Sequence, residues 1–474
     1  MQKIIIKNFG AIEYAEIEIK KVLVLIGEQA SGKSTIAKLI YFFKSLKDDV
    51  FNQIYQDQER DYFDENSDIA FVLQEKFYNW FGSTEKLIDF EIKFYYFVEI
   101  NKYLHLSLNK DKTIQCEFSQ DFYKYNIPEA LTQIKLSLQQ GSKTTNIHER
   151  LAHEKTKINY AQILAEILNN LFHSYEVDSL FVIAGRSITV GYSELFEKYF
   201  FADLQSRLEK NSKKEFQQKS QIVNEILMMK FIERVIYVKD VFSVHGKFQD
   251  LISRFRSSIK DKDKDKEEKS NLYLAEKKIV EILKGEYISN NLEEKIILNT
   301  QESIDLHNAS SGQQESIRIL QDIFFVILKQ SKVLRIVEEP ETHLFPVAQK
   351  SLIELLALMV NQNDNNQLII TTHSPYVLTV FNNLLFAQRV VDKNPLAEAE
   401  VAELIPKEFW LKAKDFSAYS LGNSSIQEEH EYCESIFNNQ TGAIQQNYLD
   451  AVSEMLGGDF NYLYGLYTKI SRKK

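Results

Sequence analysis

The stretch GEQASGKST, Gly27 to Thr35, decides how the rest of the chain is read. Gly27 to Ser34 fit the pattern G-x-x-x-x-G-K-[ST], with VLVLI before it as a continuously apolar strand and TIAKLIYFF after it at helical period. The glycines let the backbone curl until its N–H groups converge, and the positive end of the following helix adds to that anion site. The pattern therefore predicts that Gly27, Glu28, Gln29, Ala30, Ser31, Gly32, Lys33, Ser34 and Thr35 wrap the phosphates of a nucleotide. Lys33 is expected to reach the β- and γ-phosphates, and the Ser34 hydroxyl to ligate Mg²⁺.

A second apolar run, VLRIVEEPETHLFP from Val333 to Pro346, ends in two adjacent carboxylates and a proline. Neighbouring side chains on a strand point to opposite faces, but at a strand end both can turn toward a phosphate site. Glu338 is expected to hold the metal through water, and Glu339 to polarise the attacking water as general base. Alone, the pair reads as an acidic loop after a strand; beside a phosphate loop the catalytic reading prevails. Arg335 lies in the same strand, where burial requires a carboxylate partner or a sheet edge. A third strand-like run, LIITTHSPYVL from Leu368 to Leu378, ends in His373. A lone histidine is usually structural, but this one follows the paired acids at a spacing that suits a γ-phosphate sensor.

NASSGQQES, Asn308 to Ser316, precedes the apolar run QDIFFVILK. Ser311 stands three residues before Gln314, which fits a capping box at a helix start. The element also sits one helix ahead of the paired acids, so the expectation is a cap that carries function.

Length and composition bound the rest. The chain has 474 residues, 44% of them hydrophobic, enough for a large core and more than one module. Its 57 Lys+Arg against 67 Asp+Glu give a net charge of -10, which argues against a protein whose main partner is nucleic acid. Positive clusters at Lys143–Lys157 and Arg207–Lys219 could line a groove, but each contains acids and reads as a solvated helix face. No apolar stretch reaches the ~20 residues that span a bilayer. Cys116 and Cys433 are far apart, without histidine at metal spacing. The reading is a cytoplasmic protein with no membrane partner. The expected units are an N-terminal lobe with a β meander at 1–130, a mainly helical insertion at 131–280, a C-terminal lobe at 281–391, and a mixed, helix-leaning region at 392–474. KDKDKDKEEK at 260–269 reads as a charged connector at a solvated hairpin tip.

On KNFGAIEYAEIEI, GEQASGKST, SSGQQES, EEPETHLFP and TTHSPYVL, the chain resembles the SMC/RecF/OLD-like branch of ABC-type P-loop ATPases. That resemblance implies an α/β fold: an ABC-type ATPase head with an antiparallel β subdomain and a helical insertion. It implies ATP and Mg²⁺ as cofactors, with ATP sandwiched between two heads in a dimer or higher homo-oligomer. One head would supply Gly27–Thr35, Glu338, Glu339 and His373; the other would supply a signature of Ser311, Gly312, Gln313 and Gln314. Pro340 to Leu344, with Glu341 and His343 inside it, looks like the loop that crosses this interface. Gln29-Ala30 departs from the Asn-Gly of many relatives, which raises a question of loop conformation. Gln74 is a weak candidate for the glutamine loop, and FVIAGRS around Arg186 looks like a recurrent segment of undefined role.

The nuclease module of OLD proteins needs a D-x-D at a strand end, and the D-x-D patterns here lie in the lysine-rich run at Asp261–Asp265. The chain therefore resembles stand-alone ATPase subunits of two-gene phage-defence systems of the PARIS or Septu type. Such a subunit would control a separate effector, such as a Toprim or HNH nuclease, in response to a phage-derived trigger. A RecF-like DNA-binding ATPase is the alternative.

Overall fold

VLVLIG carries no polar side chain, and Val22–Gly27 (β3) accordingly lies inside a sheet, buried at every position. The computed structural model describes residues 1–56, 65–120, 147–173, 177–191, 222–256, 262–290, 293–299, 302–422, 431–445, 458 and 460–463. Its main sheet has the order β14-β13-β3-β12-β11-β7. The strands are β7 (Asp178–Val182), β11 (Val333–Glu338), β12 (Gln367–Thr372), β13 (Phe416–Leu421) and β14 (Cys433–Ser435) around β3. All neighbours run parallel except β14, which is antiparallel to β13.

The alternating runs near the amino terminus form β1 (Gln2–Phe9) and β2 (Ile12–Ile19), which join the meander β4 (Glu91–Phe97), β5 (Lys102–Leu108) and β6 (Ile114–Phe118). Together they make an antiparallel sheet of order β2-β1-β4-β5-β6, closed by the long-range pairing of β1 with β4. A smaller antiparallel sheet holds β8 (Glu286–Ser289), β9 (Glu294–Ile297) and β10 (Ser303–Asp305), and β15 (Phe437–Asn438) pairs β16 (Ala443–Ile444). The α/β class with an antiparallel β subdomain, expected from the sequence, is the one adopted.

The helices are α1 (Lys33–Gln56), α2 (Glu65–Phe81), α3 (Ile147–Leu171), α4 (Ile188–Gly191), α5 (Ile222–His245), α6 (Phe248–Arg256), α7 (Lys262–Leu283), α8 (Ser311–Lys329), α9 (Pro346–Asn361), α10 (Pro375–Lys393) and α11 (Glu398–Leu404). Aromatic rings weld α1 and α2 to the β subdomain. Phe9 meets Phe81 and Phe90 edge-on at 5.3 Å, while Phe42 does the same with Trp80 at 5.5 Å.

Three sequence expectations need correction. The lysine-rich run is not all connector, because from Lys262 it forms the beginning of α7, while residues 260 and 261 lie outside the described residues. β7 falls on SLFVIAGRSITV, which reads as a strand and turn interposed in the mainly helical 131–280 stretch, but it pairs with β11 and so belongs to the main sheet rather than to an insertion. β13 arises in the helix-leaning tail, yet it lies beside β3. Short strands with mixed composition carry a weak periodic signal, so only the tertiary pairing defines them. The positive cluster at Arg207–Lys219 lies outside the described residues, as do the side chains of Lys143–Lys157 before Lys155.

Arg335 does find carboxylates. Its Nε donates to Asp322 Oδ2 at 2.7 Å and its Nη2 to Asp178 Oδ2 at 3.0 Å, so β11, β7 and α8 share one charged knot. Arg234 of α5 donates to Asp322 Oδ1 at 2.6 Å. Burial would raise the Asp322 carboxyl, but the two guanidiniums outweigh it and hold it below the usual carboxylate range. Removing Asp322 leaves both guanidiniums to share the single carboxylate of Asp178. Asp322→Ala is expected to destabilise the fold by about 3–5 kcal/mol, read as a large drop in the thermal unfolding midpoint.

Candidate active site

The parallel strands all deliver their carboxyl ends to one crevice, where open α/β sheets bind ligands. Gly27 ends β3, Glu338 ends β11, Thr372 ends β12, Leu421 ends β13, and Ile183 follows β7. The loop from Glu28 to Gly32 then feeds α1, with Ser34 and Thr35 half-buried in its first turn. Glu28, Gln29 and Ala30 are exposed on the rim. Ala30 adopts φ +61, a left-handed conformation that glycine takes more easily, and this answers the question raised by Gln29-Ala30: the loop keeps the turn and accepts about 1–2 kcal/mol of strain.

Lys33 is buried, and its ammonium donates to the carbonyls of Gly27 at 2.8 Å and Glu28 at 2.6 Å. Burial lowers its pKa from the ordinary value, while the Glu339 and Glu341 carboxylates act in the opposite sense. An anion in the loop would give this cation stronger acceptors than backbone carbonyls.

The paired glutamates face one crevice because the chain bends between them. Glu338 is the last strand residue, and Glu339 has φ +43, a left-handed conformation in which the strand alternation is lost. The Glu339 N–H still donates to Thr371 O at 2.9 Å, which pins the bend to β12. Glu338 is buried; its Oε2 accepts the Ala184 N–H at 3.3 Å. Its Oε1 is buried with no hydrogen-bond donor among the described residues, and the Lys38 ammonium lies 3.9 Å away.

Glu339 Oε1 lies 2.7 Å from His373 Nε2, and His373 Nδ1 lies 3.0 Å from Gly27 O and 3.5 Å from Lys33 Nζ. Glu339, His373 and the Gly27–Lys33 loop are thus one hydrogen-bonded chain. Pro340 is buried behind it, and Glu341 Oε1 accepts the His373 N–H at 2.8 Å and the Thr372 hydroxyl at 2.5 Å. Glu341 therefore holds the histidine backbone within its own chain. His343 has φ +60 and is exposed.

The SSGQQ element caps α8, but one residue earlier than the sequence pattern predicted. Ser310, not Ser311, is the N-cap; it accepts the Gln313 N–H at 3.4 Å, and Gln313 Oε1 returns the bond to the Ser310 N–H at 3.0 Å. Gln313 Nε2 also donates to Leu283 O at 2.6 Å, and Gln314 Nε2 to His307 O at 2.9 Å. Both glutamines are thus engaged within the chain, while Ser311 stands exposed at the tip. Gly312 is buried because a Cβ there would meet the His343 carbonyl oxygen at 2.6 Å. The signature tip and the Pro340–Leu344 loop are therefore in contact within one chain.

Arg186 is the site residue whose role the sequence left undefined. It has no exposed surface, and its Nη1 donates to the carbonyls of Ile183 at 2.9 Å and Glu338 at 2.7 Å. Nη2 donates to Glu339 O at 3.1 Å, Nε to Glu315 O at 3.3 Å, and the Arg186 backbone N–H to Glu315 Oε2 at 2.8 Å. One side chain fastens the catalytic bend to the first turns of α8. The glycine-arginine after an apolar strand was the available signal. Gln74, by contrast, sits in α2 and donates its amide to Ile114 O at 2.9 Å, in the β subdomain.

The family model described as AAA ATPase domain matches residues 1–378. No curated protein matches the chain. Among solved structures, the chain is similar to an SmcHead bound to the C-winged helix domain of ScpA, at 11% identity over 80% of this chain and 90% of that one, with a TM-score of 0.35. It is similar to the SMC head domain from Thermotoga maritima at 12% identity, over 80% and 90% of the two chains, TM-score 0.32. The recombination mediator protein RecF with ATPrS, of the RecFOR pathway, follows at 10% identity, 78% and 92%, TM-score 0.29.

Lysine in place of Arg186 keeps the charge but loses the planar fork. Arg186→Lys is expected to lower ATP turnover on the order of 10- to 100-fold, through loss of buried charge-assisted hydrogen bonds. Steady-state hydrolysis measured beside a melting curve of the same preparation checks this.

Proposed function

The chain belongs to the AAA ATPase domain family, and from that premise we propose that it is a nucleotide-gated switch whose paired heads close on ATP and control a separate effector. The observation that carries the reading is the chain Glu339–His373–Gly27–Lys33, which joins the proposed base to the phosphate loop. Phosphates entering the loop take over the Lys33 ammonium from the Gly27 and Glu28 carbonyls. His373 then donates to the terminal phosphate and releases Glu339 to orient and deprotonate a water.

The residues fit a divalent metal. Glu338 Oε1 is a buried carboxylate oxygen lacking a hydrogen-bond donor, and the Ser34 hydroxyl begins α1 on the same crevice. Hard oxygen donors of this kind suit Mg²⁺, which takes the rest of its shell from phosphate and water. When bound, the ion would neutralise charge on the phosphates; Glu338 and Ser34 would hold it.

The second head is supported by what faces outward. Ser311 and His343 are exposed, and beside them Phe345 and Val347 leave 76% and 60% of their surface uncovered. Since Gln313 and Gln314 are engaged in their own chain, a partner's phosphate would meet the Ser311 hydroxyl and the α8 N-terminus. Antiviral defence, with an effector of the Toprim or HNH nuclease class, rests on the motif resemblance. A DNA-clamping ATPase with the same head is the alternative, and the net charge of -10 favours a protein effector over a polyanion.

Glu339→Gln keeps the shape of the base and removes its proton affinity. Turnover is expected to fall by about 10²–10⁴-fold with ATP binding retained, measured by phosphate release and by titration of bound nucleotide. Unchanged hydrolysis would remove Glu339 from the base role.

A further inference from the structure

The carboxyl-terminal strand pair presses on the phosphate loop at three points. A Cβ on Gly27 would meet the Leu421 carbonyl oxygen at 2.2 Å, and one on Gly422 would meet Ser31 Cβ at 2.9 Å. Tyr432, just before β14, donates its hydroxyl to the Ser31 carbonyl at 2.8 Å. The backbone fixes that reach, because Gly422 N–H donates to Tyr432 O at 2.9 Å and Leu421 pairs with Cys433. Gly32 leaves the room required: a Cβ there would lie 2.9 Å from the Tyr432 hydroxyl and 2.8 Å from Ile12 Cγ1.

A trans peptide points its C=O and N–H in opposite directions. Whatever holds the Ser31 carbonyl therefore also sets the direction of the Gly32 N–H. We infer that Tyr432 is a positioning residue for nucleotide binding: its hydroxyl holds the Ser31 carbonyl on the β14 side and so turns the Gly32 N–H toward the phosphates in the loop. Burial pushes the Tyr432 phenol up to about 12, so it stays a donor throughout the neutral range. Tyr432 touches no reacting atom; it acts through the peptide between Ser31 and Gly32. The inference rests on the reading of Gly27–Thr35 as a nucleotide loop, and it makes β13 and β14 part of the site.

Tyr432→Phe removes one hydroxyl and keeps the ring. Loss of one net hydrogen bond is expected to weaken ATP binding about 3- to 10-fold, with the rate at saturating ATP unchanged. Inorganic tripolyphosphate, competing with ATP, should lose the same factor, since the effect acts on phosphate alone. The nucleotide-free variant should stay folded and melt only slightly below the wild type, by no more than one intramolecular hydrogen bond accounts for, which separates positioning from misfolding. Equal ATP and tripolyphosphate affinity in wild type and Tyr432→Phe, with binding abolished in Lys33→Ala, would overturn the role of Tyr432 and leave the nucleotide site standing. A fall in the saturated rate without a change in affinity would overturn it as well. Failure of the wild type to bind ATP would overturn both.

Discussion

A guanidinium with no exposed surface must place its donors on protein oxygens, because a buried unpaired cation is among the costliest defects a fold can carry. Arg186 meets that requirement with the carbonyls of Ile183, Glu338, Glu339 and Glu315. Each acceptor is a piece of the site: the end of β7, the two residues of the catalytic bend, and the first turns of the helix that carries SSGQQ. Since the bend holds Glu339 at φ +43, its strain of roughly 1–3 kcal/mol persists only where surrounding bonds over-determine it. Arg186 and the Glu339–Thr371 backbone bond supply that constraint. Through Glu315 the same side chain makes the position of the base depend on the position of α8.

The coupling continues outward. Gly312, in the first turn of α8, lies against the His343 carbonyl, so the exposed tip and the loop after the paired acids form one continuous surface. Glu341, in that loop, holds the backbone of His373. The exposed tip at Ser311 is thus in packing contact, through Gly312, with the loop whose Glu341 holds His373. From Glu341 onward hydrogen bonds run through His373 to Glu339 and to Gly27 and Lys33, and this is the route on which the proposed switch would act.

Much of this was legible in the residues. GEQASGKS between an apolar strand and a helical period gave the loop and its lysine, and the strand–helix order after Ser310 placed Glu338, Glu339 and His373 at neighbouring strand ends. Arg335 in a buried strand announced its own carboxylates. The cap was read one residue late because Ser310-Ser311 and Gln313-Gln314 allow two capping registers, and only the packing of Gly312 against His343 selects between them. SLFVIAGRSITV was legible as a strand, but the place of β7 in the main sheet and β13 as a whole were hidden, because sheet membership comes from pairing with distant strands, which local periodicity does not encode. The charged run at 260–269 looked like a tip because its apolar face begins only at Leu272 and Ala275, further along α7.

If the signature of one chain completes the phosphate site of another, as proposed, two disabled chains reveal it: Lys33→Ala, which spoils the loop, and Ser311→Arg, which blocks the exposed tip. In a mixed dimer one site pairs an intact loop with an intact tip. Each protein alone is expected to hydrolyse almost no ATP, and mixing them to restore turnover. A mixture no more active than its separate components would contradict it.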